Sequence, residues 1–254
     1  LAWTERGEGP AVLLIHETAA TGAIWDSLAE TLSRDARMLT YDRRGWGSST
    51  APDGYQRTTI EEQSEDAAAL LESATSEPSL LCGSGIGAVI SLDLLLRRPE
   101  LVRGAVLIEP PLLGLVPAAT EVLSEDRVRL REAFASGGTE EAVRLYLSGA
   151  LVGLGPGIGR IDPEISSETR ETPAALFAEL GATAAWATPL SRLRRASRPS
   201  RIVISQSTPA LVRQAAPALE DRLANASLEE VDSGDRPPHI GAAAEVADRV
   251  RGLF

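Results

Sequence analysis

The chain has 254 residues, of which 43% are hydrophobic and 24% charged, a composition typical of one globular domain that excludes a disordered chain. Its net charge of -11 disfavours nucleic acids and anionic membranes as partners, and no apolar run reaches the ~18 residues of a membrane span. The absence of lysine excludes lysine-dependent chemistry, and the single cysteine excludes a disulfide framework.

Short apolar runs alternate with helical segments through the first half of the chain. The apolar runs predict strands at 12–15, 37–41, 79–82 and 102–108, and the segments between them predict helices at 24–32, 60–71 and 88–97. Alternation of strand, turn and helix is typical of a buried parallel sheet with helices on both faces.

The pattern changes between residues 116 and 192, where the chain is predicted to be helical. Strands resume at 201–205 and 227–231, followed by helices at 210–223 and 243–253. The helical stretch has the size of an insertion rather than of a separate domain. We therefore expect a core of residues 1–115 and 193–254, and a helical lid at 116–192.

Four motifs in chain order resemble those of the α/β-hydrolase fold. The first predicted strand ends at His16, where the family has His-Gly, and residues 42–49 resemble its Asp-x-Arg-Gly-x-Gly-x-Ser loop. Residues 83–87 resemble the nucleophile elbow, Gly-x-Ser-x-Gly, and residues 109–111 resemble a branch with Glu-Pro-Pro after the sixth strand. The resemblance implies a mostly parallel eight-stranded sheet with helices on both faces, a helical lid and a pocket at the C-terminal sheet edge.

The elbow departs from the family at the nucleophile. Its middle position is Gly85, fourteen residues before the helix-ending Pro99, as the family's serine usually is. Ser84 lies one residue early. A shifted frame would make Ser84 the nucleophile, but it places the bulky residues Cys82 and Ile86 where the turn needs glycine.

The other members of the family's triad are also altered. After the strand at 201–205 the chain has no carboxylate, so Glu109, which ends a strand on the same side of the sheet, is the candidate acid. The family's histidine position aligns near Arg236 or Pro237, and His239 is the only histidine downstream. Any imidazole base of the triad is therefore His239.

The oxyanion turn carries Glu17 where the family has glycine. A carboxylate there opposes negative charge on a substrate oxygen but suits general acid/base catalysis. The backbone amide of Ile86 could still face a substrate oxygen. We expect the pocket to be lined by His16, Glu17, Gly85, Ile86, Glu109 and Trp186, with His239 as a further candidate.

Three functions remain open at this point. The first is an acid/base enzyme that cyclises, eliminates or isomerises an apolar small molecule. The second is an ester, thioester or lactone hydrolase that uses Ser84, or in which Gly85 replaces a serine. The third is a catalytically inactive ligand-binding protein. We expect a cytoplasmic protein that needs no metal, nucleotide or flavin, because the chain lacks a phosphate-binding glycine motif and a His/Cys cluster.

Overall fold

The computed structural model describes residues 1–153, 172–187 and 189–254. The strands in these residues are β1 (Trp3–Arg6), β2 (Ala11–Ile15), β3 (Arg37–Tyr41), β4 (Ser79–Ser84), β5 (Val102–Ile108), β6 (Ser200–Ser205) and β7 (Ala226–Val231). They form one sheet in the order β1-β3-β2-β4-β5-β6-β7. The edge strand β1 is antiparallel to β3, and all other neighbouring strands are parallel.

The described residues thus form seven strands, and the expected number of eight is wrong for this part of the chain. A single strand, β1, covers the outer edge of β3. The apolar runs do not predict β1, because all four of its residues are exposed and polar or aromatic. The prediction of a mostly parallel sheet with helices on both faces is confirmed.

Helices connect the strands and cover both faces of the sheet. In the described residues they are α1 (Asp26–Leu32), α2 (Ile60–Ala74), α3 (Ile86–Arg97), α4 (Ala119–Leu147), α5 (Pro173–Ala185), α6 (Leu190–Leu193), α7 (Ala210–Glu220), α8 (Pro238–Gly241) and α9 (Ala243–Arg251). The start of α2 is fixed by a capping box, in which Thr59 and Glu62 each accept a hydrogen bond from the other's backbone amide.

The central strands contribute side chains alternately to two apolar cores, one on each face. In β2, Leu13 and Ile15 belong to the core that includes α2, α3 and α7, whereas Val12 and Leu14 belong to the core that includes α1 and α9. Because both faces are buried, β2 is apolar throughout rather than alternating in polarity.

Between β5 and β6 the chain leaves the sheet and forms α4, α5 and the short helix α6. Helix α4 is interrupted at Gly137 and Gly138, where the backbone is not helical. Residues 154–171 and 188, which belong to the segment expected to form a lid, lie outside the described residues.

A buried ion pair joins α5 to the core. Glu179 on α5 and Arg43, in the loop after β3, are both fully buried. Arg43 Nη2 lies 3.0 Å from Glu179 Oε2, and its Nη1 contacts Oε1. The indole of Trp46 also donates to Glu179 Oε1, at 2.6 Å. These contacts hold α5 over the C-terminal edge of the sheet, where β3 ends.

Candidate active site

The sharp turn between β4 and α3 is built from three glycines. Gly85, at its apex, has a φ of 55° and a ψ of -123°, a conformation that strains residues with a side chain. A Cβ at Gly83 would lie 2.2 Å from the carbonyl oxygen of Gly87, and one at Gly87 would lie 2.0 Å from the carbonyl oxygen of Ile15. Neither flanking position has room for a side chain, so this geometry favours the register in which Gly85 is the middle residue of the elbow.

The side chain of Glu17 occupies the space in front of this apex. A Cβ on Gly85 would lie 2.9 Å from Glu17 Cβ and 3.5 Å from its Oε2. The hydroxyl of Ser84, the last residue of β4, donates to Glu17 Oε1 at 3.3 Å. A side chain at position 85 would therefore compete with Glu17 for the same place.

Burial makes Glu17 a weak acid. Removal from water, with a smaller contribution from the nearby charge of Glu109, raises the pKa of Glu17 to about 8. The hydrogen bond from Ser84 and the positive charge of Arg43 oppose this shift. Near neutral pH the Glu17 carboxyl is therefore mainly protonated.

His239 lies beside Glu17. It belongs to α8, which begins at Pro238, and its ring packs against the indole of Trp25 with the ring centroids 4.7 Å apart. Its Nε2 is 3.7 Å from Glu17 Oε1, and neither ring nitrogen has a hydrogen-bond partner in the described residues. Burial, with a smaller contribution from Arg236, lowers the pKa of His239 to about 3. The imidazole is thus neutral, and its contact with Glu17 is not an ion pair at neutral pH.

Glu109 is the second carboxyl of the site and follows directly after β5. Its backbone φ is 48°, which is unusual for a residue with a side chain. The hydroxyl of Thr208 donates to Glu109 Oε1 at 2.6 Å. Burial raises the pKa of Glu109, while the Thr208 hydroxyl and the charge of Arg213 lower it.

His16 fixes the backbone of the turn that carries Glu17. Its Nε2 accepts a hydrogen bond from the backbone amide of Arg43 at 2.9 Å, and its Nδ1 donates to the carbonyl oxygen of Glu17 at 2.8 Å. Burial, followed by the charge of Arg43, holds the pKa of His16 well below its usual value. Both ring nitrogens are occupied by backbone groups, so the expected place of His16 in the pocket is not observed.

A cavity of about 220 Å³ lies between the C-terminal edge of the sheet and helices α4 and α5. It contacts Glu17, Gly85, Ile86, Glu109 and Trp186, all of which the sequence analysis places in the pocket. Ser84, His16 and His239 do not line it. Much of its remaining wall is apolar and includes Val89, Leu112, Leu113, Leu123, Leu180 and Val212.

Trp186, directly after α5, forms part of this wall. Its indole nitrogen donates to Asp93 Oδ1 at 3.2 Å, which fixes the ring relative to α3. In the described part of the chain, no three His, Cys, Asp or Glu side chains lie close enough together to hold a metal ion. No helix in the same residues is both long and apolar enough to cross a membrane.

Three residues that orient the site are not singled out by the sequence analysis. Arg43 lies within the Asp-x-Arg-Gly motif, so the motif itself is a signal for it. The only signal for Thr208 in the sequence is that a hydroxyl residue stands where the family has a carboxylate. Glu179 has no local signal, because its partner Arg43 is 136 residues away in the chain.

Comparisons with known proteins agree with this architecture. A family model described as the alpha/beta hydrolase family matches residues 12–249. The chain is 38% identical to an uncharacterized hydrolase of Bacillus subtilis, YraK, over 111 residues, which are 44% of this chain and 41% of that protein. It is 27% identical to 2-(acetamidomethylene)succinate hydrolase of Mesorhizobium japonicum over 151 residues, which are 57% of this chain and 50% of that protein.

The chain thus spans half or less of the length of these curated relatives. Among solved structures, a thermophilic esterase from Thermogutta terrifontis superposes with a TM-score of 0.76 at 19% identity. The superposition covers 99% of this chain and 91% of the esterase, and at this identity it shows a shared fold alone.

Proposed function

Because the chain belongs to the alpha/beta hydrolase family, we propose that it is an acid/base enzyme in which Glu17 takes the place of the elbow serine. The observation that carries this proposal is the position of the Glu17 carboxyl, whose Oε2 lies 3.5 Å from the point where a side chain on Gly85 would begin. Gly85 offers no hydroxyl for acyl transfer, whereas a carboxyl in apolar surroundings is suited to exchanging protons with a substrate.

The two carboxyls of the cavity favour different protonation states. The charge of Glu109 contributes to the raised pKa of Glu17, so we infer that Glu109 ionises first. Near neutral pH Glu109 then serves as the base and Glu17 as the acid. Such a pair suits a cyclisation, an elimination or an isomerisation, in which one atom of the substrate loses a proton and another gains one.

The substrate is a small apolar molecule, and helices α4 and α5 cover it as a lid. The apolar wall of the cavity supports the first part of this proposal. The lid is supported by Thr120 and Tyr146 on α4 and Leu180 on α5, which line the cavity.

A neutral aromatic probe, 5-nitrobenzisoxazole, tests the base chemistry without knowledge of the natural substrate. Removal of its C3 proton by a carboxylate breaks the ring N–O bond and releases a coloured nitrophenolate. We expect the rate to rise with pH through about 8, the pKa of Glu17, because ionisation adds a second base. Above that pH, Glu17→Gln should lower the rate to the level that the unaltered chain shows below the pKa of Glu17, where Glu109 alone acts as the base.

The matched control is Glu125→Gln, since Glu125 is an exposed glutamate on α4 that does not line the cavity. It should leave the rate unchanged. A rate that Glu17→Gln does not alter would contradict the proposal, as would stable labelling of the chain by a fluorophosphonate. Labelling abolished by Ser84→Ala would instead restore Ser84 as a nucleophile.

Ester or lactone hydrolysis is the second candidate, and the position of His239 favours it. Its unpartnered Nε2 lies 3.7 Å from Glu17 Oε1, close to the elbow. In this scheme the imidazole takes a proton from a water molecule, which attacks the carbonyl directly without an acyl-enzyme. Hydrolysis of p-nitrophenyl acetate without a burst, abolished by His239→Gln, would support this candidate. An inactive ligand-binding protein is the outcome if the cavity binds ligands but neither probe reacts.

A further inference from the structure

The charge around the cavity indicates which ligands it accepts. Two carboxyls, Glu17 and Glu109, line it, and no arginine or histidine does so in the described residues. The chain contains no lysine. An anionic ligand would therefore meet two acidic groups in a desolvated space, without a compensating cation from the described residues, which is unfavourable.

The two arginines whose charges affect the pKa values of these carboxyls already have partners. Arg43 contributes to the electrostatics of Glu17, but its guanidinium is paired with Glu179. The positive charge of Arg213 lowers the pKa of Glu109, and the guanidinium of Arg213 pairs with Glu230 at 3.1 Å. Neither arginine lines the cavity, so neither is available to a ligand.

His239 does not supply a positive charge to the Glu17 carboxyl. The imidazole is fully buried, and its Nε2 lies 3.7 Å from Glu17 Oε1. Its two ring nitrogens have no hydrogen-bond partner in the described residues. Burial lowers the pKa of His239 to about 3, so the ring stays neutral and does not neutralise Glu17.

Each carboxyl is held through one oxygen by a buried hydroxyl. Ser84 donates to Oε1 of Glu17, and Thr208 donates to Oε1 of Glu109. These bonds fix the orientation of both groups and leave Oε2 of Glu17 on the side of the elbow apex, which lines the cavity.

Two aromatic residues complete this arrangement. Tyr146 and Trp186 both line the cavity together with the carboxyls. Trp186 is fixed by its hydrogen bond to Asp93. Aromatic faces attract cations, particularly where water is excluded. The net charge of -11 attracts cationic ligands to the protein as a whole.

We propose that the cavity binds a small apolar molecule that carries a protonated amine, with the ammonium group between Glu17 and Glu109. The volume of about 220 Å³ is below the ~300–1,000 Å³ of pockets for drug-sized ligands, so the ligand is a compact amine. This inference rests on the proposed function for its choice of Glu17 and Glu109 as the working groups.

Binding of such a cation is coupled to proton release. Glu17 is mainly protonated near neutral pH because burial and the charge of Glu109 raise its pKa to about 8, against the effects of Ser84 and Arg43. An ammonium ion favours the ionised carboxylate, so close to one proton should leave per amine bound at about pH 7. The affinity should increase about tenfold per pH unit between roughly pH 6 and 7 and level off above the pKa of Glu17.

Isothermal titration calorimetry with three matched probes tests the proposal. The probes are 3-phenylpropylamine, 3-phenylpropan-1-ol and 3-phenylpropanoate, which share one apolar body and differ in charge. We expect the amine to bind the unaltered chain at least about tenfold more tightly than the alcohol, and the carboxylate to bind most weakly. Titration of the amine in two buffers with different ionisation enthalpies measures the number of protons released per amine bound, which should be close to one.

Glu17→Gln should abolish the proton release, and both Glu17→Gln and Glu109→Gln should remove most of the preference for the amine. Glu125→Gln, the exposed control, should change neither. The ligand class is overturned if the carboxylate binds as tightly as the amine, if amine binding releases no proton, or if the amine does not bind. The ranking of probes by the unaltered chain decides the proposal even if a variant does not fold.

The proposed function fails separately, because the elimination probe is uncharged. If the amine binds as expected but 5-nitrobenzisoxazole is not turned over, the acid/base role is wrong and the ligand class stands. If the elimination proceeds and the amine shows no preference, only the ligand class is wrong.

Discussion

Replacement of Gly85 by serine tests the elbow geometry most directly. The backbone at Gly85 has a φ of 55°, which costs a residue with a side chain about 1–3 kcal/mol. The new Cβ would lie 2.9 Å from Glu17 Cβ, and such crowding costs about 1–3 kcal/mol more. We therefore expect Gly85→Ser to lower the free energy of unfolding by about 2–6 kcal/mol. The variant should show no esterase activity.

Removal of Glu17 should relieve the crowding. In the chain with both Gly85→Ser and Glu17→Gly, only the backbone strain remains, so about 1–3 kcal/mol should be recovered relative to the sum of the single variants. The measurement is urea unfolding of all four chains of this double-mutant cycle. Hydrolysis of p-nitrophenyl acetate with an initial burst is expected only for the double variant, because there the serine hydroxyl can take the place of the Glu17 carboxyl, which lies beside His239.

The matched control is Gly181→Ser on α5, where a Cβ would meet nothing within 4 Å. Its unfolding should change only by the small difference in helix propensity between glycine and serine. Additive effects of Gly85→Ser and Glu17→Gly would show that Glu17 does not occupy the apex. A burst from Gly85→Ser alone would show that Glu17 moves aside at little cost, and either result would refute the reasoning.

The other predictions concern the buried charges and hydroxyls of the site. Glu179→Gln leaves Arg43 buried without its ion pair and should cost about 3–5 kcal/mol in urea unfolding, whereas Glu141→Gln, which breaks the solvent-exposed pair with Arg144, should have little effect. A Glu179→Gln variant as stable as the unaltered chain would contradict the role of this pair. The pKa of Glu17 is about 8 in the folded chain and about 4.5 in the unfolded chain. Because only the folded chain keeps this proton between these two values, the free energy of unfolding falls as the pH rises through that range. Glu17→Gln should flatten that decline in thermal unfolding between about pH 6.5 and 8, and an unchanged slope would contradict the raised pKa. Ser84→Ala removes a hydrogen bond that lowers the pKa of Glu17, so the midpoint of the pH–rate profile with 5-nitrobenzisoxazole should move upward, and a downward shift would be inconsistent with this contact.

The buried strands could be predicted from the sequence because burial on both faces makes them uniformly apolar. The run at 12–15 corresponds to β2 (Ala11–Ile15), and the run at 102–108 is β5 itself. The edge strand β1 could not be predicted in this way, since it contributes no residue to the core. Its position depends on pairing with β3 rather than on hydrophobic periodicity.

The composition of the site was predictable where chain order brings residues to the same sheet edge. Glu17 and Glu109 follow parallel strands, and both line the cavity. The orientations of the side chains were not predictable. His16 and Ser84 occupy motif positions, yet neither lines the cavity. His16 hydrogen-bonds the backbone carbonyl of Glu17, and Ser84 hydrogen-bonds its carboxyl. The contact between Ser84 and Glu17 spans 67 residues of sequence, so no local pattern indicates it.

Relative to the family resemblance, glycine and the residue with a side chain are interchanged between positions 17 and 85. Strands β2 and β4 are parallel neighbours, with Ile15 paired to Gly83, so the turns that follow them face the same point. The resemblance implies glycine after the histidine and a side chain at the elbow, whereas this chain has a side chain after His16 and glycine at the elbow. The 2.9 Å separation shows that there is little room for both side chains. Gly85 is therefore a steric requirement of Glu17, and a function proposed for either residue has to account for the other.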